Sequence, residues 1–139
     1  MKGVTSLDPA GFLTDFKLRT LWTARLMREF ADGELELRPA SGSLSAAEQI
    51  HQVCTSNNFL KHVISTGPVT VSAFERKFDV SSVTSVLRSL RQVAREVEGA
   101  VEQMPAEAWG ELIEPFGPDW RMTRAQTAYL MLEHEAHHR

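Results

Sequence analysis

Thr123-Arg124-Ala125-Gln126-Thr127-Ala128-Tyr129-Leu130-Met131-Leu132-Glu133-His134-Glu135-Ala136-His137-His138-Arg139 combines a clear helix start with three of the chain's five histidines. Thr123 and Gln126 have the spacing of a capping box, in which hydroxyl and amide each satisfy a free backbone N–H of the first turn. A helix is predicted from Thr123. At about 100° per residue, Thr127, Leu130, Met131, His134 and His138 fall on one stripe, and His137 falls toward an edge with Gln126 and Glu133. His134 and His138 are four residues apart, so their imidazoles lie one above the other and can share a metal ion. A polar pair in line with the apolar side calls for a metal or a hydrogen bond.

Working outward, three more helices are predicted. Asp8-Pro9 opens the first, with Phe12, Phe16, Leu26 and Phe30 on its apolar side and Leu13, Trp22 and Met27 beside them, until Asp32-Gly33. Glu34 to Ser43 reads as a connector. Ser45-Ala46-Ala47-Glu48 is a second capping box, and its helix runs to about Ser65 with Ala46, Ile50, Val53, Leu60 and Ile64 inside. His51 lies on a flank with Ala47, Cys54, Thr55 and Asn58, which on periodicity alone is a surface or half-buried position. Gly67 to Asp79 reads as a connection, with strand propensity at Val69-Thr70-Val71 and the pattern of a short helical turn at Phe74-Glu75-Arg76-Lys77-Phe78. Ser81 or Ser82 caps a third helix that Pro105 stops; its outer face, with Arg88, Arg91, Arg95, Glu96, Glu98 and Glu102, is a solvated one. Pro105 to Met122 is a long link whose Trp109, Phe116 and Trp120 are expected to cover the end of the core. Four amphipathic helices and no convincing strand pair give an all-α four-helix bundle, up-and-down or crossover, as a single domain over residues 1–139.

Composition narrows the function. A formal net charge of -3 with scattered Lys and Arg provides no basic field, so no nucleic-acid partner is expected. Cys54 is the only cysteine, which excludes an intrachain disulfide and reads as a buried, inert thiol. No apolar secretory core or bilayer-length apolar run is present, so no membrane association is expected and a cytoplasmic location is the default.

His134-Glu135-Ala136-His137-His138 also matches His-Glu-x-x-His, the zinc-peptidase signature. A peptidase would need a third ligand, commonly after the motif, and an edge strand to hold the peptide, and the sequence offers neither. A third ligand from upstream leaves His51, His62, Cys54 and several carboxylates open. His51 and His62 stand about 16 Å apart along one helix, so only one of them can serve a given ion.

Ile50-His51-Gln52-Val53-Cys54, Phe59 eight residues after His51, and Glu133-His134-Glu135-Ala136-His137-His138-Arg139, within a four-helix plan, resemble the DinB-like family of bacterial bundle proteins. The resemblance implies a divalent metal, zinc or nickel, at one end of the bundle, with His51, His134 and His138 as ligands and positions left open for water or substrate. It implies a small-molecule substrate, since some relatives are thiol S-transferases using a low-molecular-weight thiol such as bacillithiol and others are mycothiol-dependent isomerases. A metal-dependent thiol S-transferase or hydrolase, working as a homodimer, is the leading expectation; a non-catalytic metal-binding or interaction bundle is the alternative. Gln52, a second histidine in some relatives, is not expected to touch the ligands. Glu135, about 100° from His134, is expected to hydrogen-bond or face solvent and not to act as base. Relatives continue His-Arg with Gly-Gln and further turns, so a chain cut short at Arg139, or an end supported by another subunit, is also expected.

Overall fold

The computed structural model describes residues 8–65 and 75–139. Asp8 caps α1 (Pro9–Met27), its carboxylate accepting from the Gly11 N–H at 2.6 Å. Ser45 and Glu48 form the expected box at the start of α2 (Ala46–Ile64), and Ser82 caps α3 (Val83–Gln103). Thr123 and Gln126 open α4 (Arg124–His138) in the same way. The strand propensity at Val69-Thr70-Val71 lies outside the described residues.

Four local expectations are corrected. α1 ends at Met27, six residues before Gly33, because the N–H groups of Glu29 and Phe30 bond back three residues to Leu26 and Met27 and tighten the last turn. Its buried positions are Phe12, Phe16, Thr23 and Met27, while Trp22 and Leu26 are 45% and 40% exposed. The polar Thr23 takes the core position because it has a buried partner on α4. The link after α3 also contains a strand pair: β1 (Leu112–Ile113) runs antiparallel to β2 (Met122–Thr123), with Leu112 opposite Thr123 and Ile113 opposite Met122. Only Trp109 covers the core there, buried against Phe12; Trp120 stands out into solvent and Phe116 stacks half-exposed on Phe59.

The bundle's inner side holds two apolar clusters. Phe12 and Phe16 of α1, Leu60 and Ile64 of α2, Val97 and Val101 of α3 and Ala128 of α4 share one. Met27, Ile50, Val86 and Leu90 share the other. Thus the end of α1 meets the starts of α2 and α3, and α2 and α3 run in the same sense. That makes the bundle a crossover one. α2 packs between α3 and α4, and α1 closes the other side against the same two helices. α4 runs antiparallel to α2. Among the described residues, no helix is long and apolar enough to cross a membrane.

α4 is anchored at its first residue. Arg124, 4% exposed, donates from Nε to the Val63 carbonyl at 2.6 Å and from Nη1 to the Ala108 carbonyl at 2.8 Å. A buried guanidinium thus satisfies the carbonyl-rich end of α2 and the turn that follows α3. Arg124→Met leaves both carbonyls without this donor and is expected to cost about 2–4 kcal/mol in urea unfolding. An unchanged midpoint would show that the anchor is dispensable.

Candidate metal centre

A spacing of four residues, about one helical turn, places His134 and His138 together, and the structure brings their rings to 4.5 Å between centroids, with the two Nε2 atoms 3.2 Å apart. Each remaining ring nitrogen is held by α2. His138 Nδ1 donates to Gln49 Oε1, and His134 Nδ1 shares a 2.8 Å hydrogen bond with the Ser56 hydroxyl. With Nδ1 of His138 donating, a neutral ring turns its Nε2 lone pair toward His134.

This half of the site fits a divalent ion. Two nitrogens 3.2 Å apart, each bound at about 2.0–2.1 Å, would subtend roughly 100° at one ion, an ordinary ligand angle. Partners on Nδ1 that set ring orientation are what ligating histidines need. Burial lowers the pKa of both rings, and the neighbouring His137 lowers each further. The neutral, ligand-competent form is favoured.

His51 does not join them. Its Nε2 accepts from the Phe78 N–H at 3.3 Å, its Nδ1 lies 3.4 Å from the Thr55 hydroxyl, and its ring meets Phe78 edge-on. Burial, then the charge of Lys77, lowers its pKa too. The reason is angular: at about 100° per residue, His51 projects roughly 140–160° from the Gln49 and Ser56 edge that meets α4. Gln52 lines a cavity of about 560 Å³ together with Ser56, Phe59, Phe116 and His134. His62 lies in the last turn of α2, toward the end that receives Arg124. Among the described residues, no three His, Cys, Asp or Glu side chains form a group that could hold a metal ion.

Behind the pair, Glu135 is 1% exposed and accepts from the Thr23 hydroxyl at 2.7 Å. Arg139 stands 3.7 Å from the same carboxylate oxygen, and Glu135 Oε1 has no hydrogen-bond partner. The glutamate therefore bonds inward to α1 and does not face solvent. Cys54 is fully buried; burial pushes its thiol up to about 12, and the Glu135 charge adds to the rise. Gln49, Ser56 and Thr23 are the residues that sequence reasoning missed. Gln49 and Ser56 are seven apart on one face of α2, a signal that has meaning only once α4 is known to dock there.

The sequence profile of the DinB superfamily matches residues 19–139. Among solved structures, a DinB-like protein from Bacillus subtilis is 23% identical over 91% of this chain and 82% of its own, with a TM-score of 0.74. A DinB-like protein from Bacillus cereus is 15% identical over 93% and 84%, with a TM-score of 0.76. Likeness at these identities concerns the fold, and it agrees with the four-helix arrangement. Comparison with curated proteins gives no match.

Two measurements check this geometry. Cys54 should resist alkylation by iodoacetamide at pH 8 in the folded chain and react readily in 8 M urea, in keeping with a buried thiol raised to about 12; rapid modification of folded protein would contradict its burial. Because His51, His134 and His138 all titrate lower when folded, the unfolded chain binds more protons below about 6.5, and stability falls as pH drops through that value. The urea midpoint of metal-free protein should therefore be lower at pH 5.5 than at pH 7.5; an equal or higher midpoint would contradict the burial of these rings.

Proposed function

Because the chain belongs to the DinB superfamily, and because His134 and His138 converge on one point, we propose that it binds a divalent metal ion, zinc or nickel, and acts on a small molecule. The observation behind this reading is the 3.2 Å separation of the two Nε2 atoms, with each Nδ1 already held by α2. A bound divalent ion supplies acid-strengthening of a coordinated thiol or water, which suits a thiol S-transferase or a hydrolase. The protein's part is to hold the two imidazoles neutral and oriented and to leave the remaining positions open. The third ligand that the resemblance implies, His51, faces away from the pair, so to serve this reading it must both release the Phe78 amide and be turned toward α4.

A specific observation favours a second reading. His51 already has partners at both ring nitrogens, and α1 exposes Leu18, Leu21 and Trp22 along one side. A bundle without catalysis, pairing with a second copy through α1, would look the same.

Elemental analysis of untagged protein, with titration of zinc and nickel into metal-free protein, separates the readings. The enzyme reading expects near-stoichiometric metal in wild type and at least about 100-fold weaker binding in His134→Ala and His138→Ala. Comparable loss in His51→Ala would identify the third ligand. Full retention in that variant, with tighter binding in Gln52→His, would move the third position to the face that meets α4. No metal in wild type would sink the enzyme reading and leave the interacting bundle.

A further inference from the structure

The His pair has a second approach, from the side opposite Gln52. Between α1, the start of α2 and the connector that joins them lies a chamber of about 450 Å³, a volume suited to a small organic ligand. Its lining is mainly apolar. Met27 and Ile50 belong to the buried core, Leu26 and Phe30 stand partly exposed beside them, and His138 and Gln49 supply hydrogen-bonding groups. The cations in the lining are already paired: Arg38 with Glu48 at 2.7 Å and Arg139 with Glu135 at 3.7 Å. No Asp or Glu side chain lines it among the described residues. An ion entering here would lose water without gaining an unpaired counter-charge.

We infer that this chamber binds the uncharged, apolar part of a small molecule, aliphatic or aryl, with the polar end of that molecule directed to His138 and Gln49. The inference deepens the proposed function by naming a substrate class, and it rests on that reading only in taking His138 as the reacting end. The two cavities then divide the approaches to the pair. The ligand in the chamber meets His138, and the cavity lined by Gln52 and Ser56 opens on His134.

Octan-1-ol and octanoate, titrated separately into isotope-labelled full-length chain and followed by amide chemical shifts, provide the probes. Octanol should give saturable shifts confined to the chamber and bind at least about tenfold more tightly than octanoate. Leu26→Glu, which puts a charge in the lining, and Ala46→Phe, which fills the chamber from the first turn of α2, should each weaken octanol at least about tenfold. Both positions are partly exposed, so the variants should remain folded, as thermal unfolding would verify. Absence of saturation, tighter octanoate, or unchanged affinity in both folded variants would overturn the inference. Octanol binding by a wild-type chain that takes up no metal would support the chamber and overturn the metal reading. Metal uptake without octanol binding would do the reverse.

Discussion

The rotation of α4 about its own axis is set by two buried charged side chains, and the position of the histidines follows from it. Arg124 and Glu135 are eleven residues apart, three turns that return to within about 20° on the helix. Arg124 reaches carbonyls at the end of α2 and after α3, and Glu135 accepts from Thr23 of α1. A helix pinned at both ends to partners inside the bundle cannot turn without stranding a buried charge. His134 and His138 then stand roughly 60–100° to one side of that line. That side faces Gln49 and Ser56.

Local signals in the chain translated directly. The boxes at Ser45 and Thr123 and the cap at Ser82 need only residues within one turn, so the helix starts are readable without knowing the fold. The His134 and His138 pairing is likewise a property of one helix. What one helix cannot reveal is which side its neighbour occupies. His51 and Gln52 are one step of about 100° apart, and only the docking of α4 puts Gln52, and not His51, on the cavity that His134 lines. Thr23, Arg124 and Glu135 were obscured for another reason. Their letters suggest solvent, and their burial depends on partners 16 to 112 residues away. The two-residue strands were too short to show any alternation.

The two α2 partners of the histidine pair differ in kind. Gln49 presents its amide oxygen to His138, which fixes that ring as a donor at Nδ1. Ser56 presents a hydroxyl, which can accept from His134 or donate to it. When His134 Nδ1 accepts the serine proton, its Nε2–H can donate to His138 Nε2 and hold the pair together. When the hydroxyl turns to accept, both Nε2 lone pairs point at the same place. Ser56 therefore lets the same two rings stand either as a hydrogen-bonded couple or as a pair of ligands, with no change of rotamer.

The crossover has a consequence for the order in which the molecule is assembled. Since α2 and α3 run in the same sense, their like ends meet only by a non-local closure, and such closures cost entropy before contacts offset it. The Thr23 to Glu135 bond joins residues 112 apart. α4 follows α1 to α3 in the chain and carries the histidine pair, and Thr23 gains its buried partner only when α4 docks. The pair's partners Gln49 and Ser56 lie on α2, so a chain in which α4 has not packed would have a partial core and two histidines without those partners.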